Sequence, residues 1–144
     1  MATDFGTPDA GTHQILMEHR ELLAQTAAVE ALVERLPKGA SATEEWRIAL
    51  GQLLAELTTK LEQHFAVEVQ TTSLEPSFSN AVFAAQLREL DEEHRMLLAA
   101  FSKAAQMAAT AKIAPARVQG IVLQTIASFR EHEAKEDALF RETY

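Results

Sequence analysis

The sequence predicts an all-α protein, an up-down-up-down bundle of four helices, on three observations. Gly and Pro are few, and they punctuate long stretches rich in Ala, Leu, Glu, Gln and Arg, residues that favour helix over strand. Each stretch carries an apolar stripe at a spacing of three or four. The connections are short, which makes sequential helices antiparallel neighbours. At 144 residues the chain has the length of one domain, and its 47% hydrophobic content is too high for general disorder. The expected organisation is a flexible N-terminal segment over 1–11 and a bundle domain over 12–144.

The first helix is expected near 12–36, with a stripe through Ile15, His19, Leu22, Thr26, Val29, Val33 and Leu36. The run Pro37-Lys38-Gly39-Ala40-Ser41 reads as a turn, with Ser41 or Thr43 capping the next helix. That second helix, near 42–70, places Trp46, Leu50, Leu53, Leu57, Leu61, His64 and Glu68 on one face. Thr71 to Ser79, with Pro76, reads as a longer break. A third helix near 80–110 carries Phe83, Leu87, Leu90, His94, Leu97 and Phe101. Ala111 to Ala114 then lead into Pro115, which suits the first turn of a helix. The fourth, near 115–141, aligns Val118, Val122, Thr125, Phe129, His132, Glu136 and Leu139.

Composition excludes several kinds of chemistry. A formal charge of −8 with scattered Lys and Arg argues against a nucleic-acid partner. No apolar run approaches the ~18 residues of a membrane helix, and no signal peptide opens the chain, so no membrane partner is expected. The absence of cysteine excludes disulfides, thiolate metal sites and cysteine nucleophiles, and fits a cytoplasmic location. Neither a nucleophile elbow nor a glycine-rich phosphate loop occurs.

What remains is a repeat. Residues 18–24 read EHRELLA and residues 93–99 read EHRMLLA; each is followed by an H-x-A-x-E, at His64–Glu68 and His132–Glu136. The order is H, HxxxE, H, HxxxE. Residues at i and i+4 share a helix face, so each HxxxE presents an imidazole and a carboxylate together. His19, His64, Glu68, His94, His132 and Glu136 all fall on the inner stripes, where a charge is costly unless it is paired or metal-bound. His19 and His64 lie about 20 and 25 residues from the first turn, His94 and His132 about 18 and 20 from the second. At ~1.5 Å per residue they sit within about two turns of one level, at the end of the bundle away from both turns. His13 lies outside the set.

Nitrogen and oxygen donors without sulfur suit Fe, Mn or Zn. Six donors are too many for one tetrahedral zinc and too few to close two six-coordinate ions. Two ions, each held by two histidines and bridged by Glu68 and Glu136, would keep positions for an oxo or hydroxo bridge and an exogenous ligand. Among the other residues, Phe65, Phe101 and Phe129 neighbour the candidate ligands and read as core, with a dry wall around the site as the alternative; Trp46 reads as a core anchor, and Met17 and Met96 as packing. Glu18, Glu93 and Glu131, each preceding a histidine, read as solvated surface.

With H…HxxxE…H…HxxxE on four helices, the chain resembles the hemerythrin-like family, or HHE cation-binding domain, over about residues 12–141. The resemblance implies a four-helix bundle with two non-haem Fe ions. His19, His64, His94 and His132 would be ligands, and Glu68 and Glu136 bridging carboxylates. The family's oxygen carriers have a further His four residues after the third-helix His, where this chain has Leu98. They bridge with an Asp five residues after the last His, where this chain offers Glu136 and Asp137; the i+4 geometry favours Glu136. The set is more similar to the branch linked to nitric oxide and oxidative stress, including iron-centre repair proteins. Those usually carry a cysteine-containing amino-terminal segment, and this sequence contains no cysteine. The implied function is to bind or sense O2, NO or peroxide, a sensor then signalling through a protein partner. The alternatives are a di-iron enzyme of peroxide detoxification or iron-centre repair, and an interaction or scaffold bundle with structural or no metal. Leu98 in place of a fifth His points to reaction with peroxide or NO over reversible O2 carriage.

Overall fold

The computed structural model describes residues 10–74 and 81–143, and the side chains of 13–70 and 81–140. Four helices follow in chain order: α1 (Ala10–Glu34), α2 (Ala40–Leu74), α3 (Ala81–Ala108) and α4 (Pro115–Thr143). No strand occurs among the described residues. Each helix packs on the next, and α4 closes the ring against α1. Cross-links set the directions. Between α1 and α2, Glu18 meets His64 and Leu32 meets Trp46; between α1 and α4, His19 meets Asp137 and Val33 meets Gln119. Numbers rise on one helix as they fall on its neighbour, so the bundle runs up-down-up-down.

The turns differ from expectation in detail. Gly39, at φ 90°, bends the chain in the left-handed region that suits glycine. Its carbonyl accepts both the Thr43 amide, at 3.0 Å, and the Thr43 hydroxyl, at 2.7 Å. Neither Ser41 nor Thr43 therefore caps α2. Gly39 occupies the flanking position and both residues lie inside the first turn. The expected break from Thr71 is also corrected, because α2 continues to Leu74. A proline disfavours helix at the residue just before it, not five residues earlier. Pro76 itself, and Met1–Asp9 of the N-terminal segment, lie outside the described residues, whereas Ala10 and Gly11 belong to α1. At the second turn the Arg47 guanidinium donates to the carbonyl of Ala108, which the end of α3 leaves without a helical partner, and to that of Ile113 in the connection to α4.

The inner stripes form one long core and one short one. The long core runs from Leu22, Val33, Trp46 and Leu50 through Leu61 and Phe65 to Phe101, Val122 and Phe129. Trp46 anchors it as expected, its indole N–H donating to the Leu32 carbonyl at 3.0 Å. In α2 the stripe passes through Leu54, fully buried, instead of Leu53, because the step from Leu50 is four residues. Leu36, beyond the end of α1, is exposed. Buried Thr26 and Thr125 turn their hydroxyls back to the carbonyls of Leu23 and Ile121. The short core pairs Ile15 with Phe140, flanked by Val67, Phe83 and Leu87. A polar layer lies between the two cores. Met17 and Met96, expected to pack, are exposed.

Candidate metal centre

His19, His64, Glu68, His94, His132 and Glu136 all lie in that layer, and none is more than 6% exposed. Helical spacing sets the closest pairs: His64 Nε2 to Glu68 Oε1 at 3.0 Å, and His132 Nε2 to Glu136 Oε1 at 3.1 Å. Each carboxylate also faces the two histidines of the EHR repeats. Glu68 lies 3.8 Å from His19 Nε2 and 3.7 Å from His94 Nε2; Glu136 lies 3.7 Å and 3.3 Å from the same atoms. The imidazoles pair by hairpin, with ring centroids 4.7 Å apart for His19 and His64 and 4.8 Å for His94 and His132. His13 is exposed.

The outer nitrogens explain the rest of the repeated heptapeptide. His64 Nδ1 donates to Glu18 at 2.8 Å, and His132 Nδ1 donates to Glu93 at 2.9 Å. The expectation of solvated surface for Glu18 and Glu93 is therefore corrected. An i−1 residue points away from its own histidine, but across the hairpin it faces the histidine of the next helix. Lys135 steadies Glu93 at 2.9 Å. Glu131 is exposed, as expected. His19 Nδ1 meets Asp137 Oδ1 at 2.9 Å, so Asp137 stands behind a histidine while Glu136 faces the centre. An ionised carboxylate only accepts, so each of these Nδ1 atoms carries the proton and each Nε2 is turned inward. The Nε2 atoms of His19, His64 and His132 and Oε1 of Glu136 are buried without a well-formed hydrogen bond, as donors awaiting a cation would be.

Without metal the layer holds charge by pairing. Burial alone would lower the pKa of His19, but the carboxylates of Glu68, Glu133 and Glu136 outweigh it and raise it to about 9. His132 rises to about 9 against its burial, through Glu136 and Glu93, and His64 rises through Glu68 and Glu18. Glu68 goes the other way: despite burial, Glu136, His19 and His64 hold it far below the usual carboxylate range. These imidazoles must give up protons before they can ligate.

One residue of the layer escaped the sequence reading. Glu133 is 3% exposed, with Oε2 3.2 Å from His19 Nδ1, and burial pushes its pKa up to about 8. Phe65, read as core or as a wall beside the site, stacks on His94 with centroids 3.8 Å apart and planes 5° off parallel. Phe101 and Phe129 are core and meet edge to face. The signal for Glu133 was present: it stands four residues after Phe129 and three before Glu136, on the same stripe.

Two groups of donors are close enough to hold a cation. One comprises His19, His64, Glu133 and Glu136, the other His94, His132 and Glu136, and within each group the donor atoms lie within 4.8 Å of one another. No helix among the described residues is long and apolar enough to cross a membrane. Comparison with curated proteins and with solved structures finds no match. A family model, the hemerythrin HHE cation-binding domain, matches residues 10–143. That match spans nearly the whole chain and falls on the helices and the buried His–Glu layer described above, and the chain belongs to the hemerythrin HHE cation-binding domain family.

Proposed function

We propose that this cation-binding bundle is a non-haem di-iron protein that binds or senses O2, NO or peroxide. In this reading His19 and His64 would hold one ion and His94 and His132 the other, with Glu68 and Glu136 as the carboxylates shared between them. One observation carries it: two buried carboxylates, each within 3.8 Å of three imidazole nitrogens, in a layer closed by apolar residues on both sides. Nitrogen and oxygen donors without sulfur suit iron. When bound, iron would supply redox chemistry and the coordination positions that the protein leaves open.

The chain's own residues do the remaining work. Glu18, Glu93 and Asp137 hold three imidazoles in orientation through Nδ1. Phe65 lies flat on the fourth, His94, and keeps water from its face. A cavity of about 30 Å³ touches Glu68, His94 and Glu136 and is bounded by Leu87, Leu90 and Phe140. A water needs roughly 10–15 Å³ on this measure, so the pocket has room for a diatomic molecule or peroxide beside His94. A cysteine-free chain suits the cytoplasm, and a sensing role calls for a protein partner.

Metal content per chain, measured by plasma mass spectrometry on protein expressed with added iron and purified without chelators, tests the reading. About two irons per chain are expected, followed by a stable adduct with NO. Peroxide turnover with retained iron would favour the enzyme reading at the same centre. No metal, or a fraction of one zinc, overturns the di-iron reading in favour of a scaffold bundle.

A further inference from the structure

The two H-x-A-x-E copies differ at their second position, Phe65 in one and Glu133 in the other. Phe65 covers His94. Glu133 lies against His19, and neither of its buried oxygens makes a well-formed hydrogen bond. His19 Nδ1 has a single proton, and Asp137 Oδ1 already accepts it at 2.9 Å. His64 and His132 likewise have one carboxylate each behind them, Glu18 and Glu93. Glu133 is therefore surplus as an orienting group. A carboxylate buried to this degree is costly unless a cation compensates it; protonated His19 does so in the metal-free chain, and a bound ion would take that place. One of its oxygens lies within 4.8 Å of donor atoms of His19, His64 and Glu136.

We propose that Glu133 is a seventh metal ligand, donating to the His19–His64 position and making the two positions unequal. This rests on the two-ion reading above. The His19–His64 position then has one more anionic donor than the His94–His132 position. The small cavity borders His94 and not His19, so the exogenous ligand meets the position with fewer protein donors. The repeat builds two similar cradles, and the single exchange of Phe65 for Glu133 assigns them different work.

Anaerobic titration of the full chain with Fe(II), followed by Mössbauer spectroscopy, tests this on the wild type and on Glu133→Gln. Gln keeps the shape and an acceptor oxygen, so it preserves a positioning role while replacing an anionic donor by a weak neutral one. The wild type is expected to bind two ions with unequal affinity and two distinct doublets. In Glu133→Gln one affinity should fall about tenfold or more while the other stays within about threefold. Two ions with both affinities unchanged, or both weakened alike, overturn the assignment of Glu133 and leave the two-ion reading standing. Fewer than two ions in the wild type overturn both. If Glu133→Gln does not fold, Glu133→Asp reads the same difference: a carboxylate one methylene short should weaken one position alone, and an unchanged pair of affinities overturns the proposal.

Discussion

The two helical hairpins present the same framework and spend it differently. In α1–α2, His19 faces the centre while Glu18 holds His64; in α3–α4, His94 faces the centre while Glu93 holds His132. The match fails one residue after the second histidine. Phe65 buries a ring against His94, and burying such a side chain contributes about 1.5–3 kcal/mol. Glu133 buries a carboxylate beside His19, which opposes folding unless a charge answers it. One half of the layer is stabilised by packing, while the other buries a carboxyl group that a cation would satisfy. A repeated motif thus sets where donors stand, and the exceptions within it set how the two halves differ.

The largest way to break the comparison is to remove one histidine from each half. His64→Ala and His132→Ala are each expected to lower metal content from about two ions per chain to about one or fewer, with a clear loss of melting temperature on the metal-loaded protein. Equal retention of both ions in either variant would sink the paired-site reading.

Truncating the unmatched position should give opposite signs in the two halves. Phe65→Ala leaves a cavity beside His94 and should cost about 3–5 kcal/mol in urea unfolding. Glu133→Ala removes a buried charge, so the metal-free protein at pH 9 should be no less stable than the wild type. A loss there comparable with that of Phe65→Ala would show Glu133 to be ordinary packing.

The outer carboxylates should behave alike, which sharpens the symmetric part. Glu18→Gln and Glu93→Gln are each expected to weaken metal binding about 10–100-fold, in the half whose histidine they hold. Lys135→Met, releasing Glu93, should have a smaller effect in the same half.

Acidity gives a gentler test. His19 and His132, raised from 6.5 to about 9, favour the folded metal-free chain while protonated. Their contribution is full below pH 6.5 and fades as pH rises through 9. Glu133, raised from 4.5 to about 8, opposes folding when ionised, so its penalty grows over pH 4.5 to 8. Both act in one direction. The metal-free melting temperature should fall by about 5 °C or more between pH 6.5 and 9, and Glu133→Ala should flatten part of that slope. Metal uptake should rise over the same range, as the imidazoles lose protons. Smallest of all, Glu131→Gln, at an exposed site, should stay within about 0.5 kcal/mol.

Much of this was legible from spacing. The stripes of α1, α3 and α4 are buried nearly as read, and the six His and Glu positions occupy the layer where the depth argument places them. Leu53 and Leu54 show the limit of that reading. Steps of three and of four both keep to one face, and the neighbouring helices choose between them. Glu18 and Glu93 show another limit, since no feature of their own helix marks them as partners of His64 and His132.

The sequence by itself determined four helices, their inward faces and the doubling of the site, because a 3.6-residue period is a local property that any one segment carries in full. Only the tertiary structure decided which carboxylate stands behind which histidine, that Asp137 holds His19 while Glu136 faces the centre, and that Phe65 and Glu133 oppose each other across the repeat. Those pairings join separate helices, and their distances follow from how the bundle closes and not from the spacing within any one of its strands of sequence.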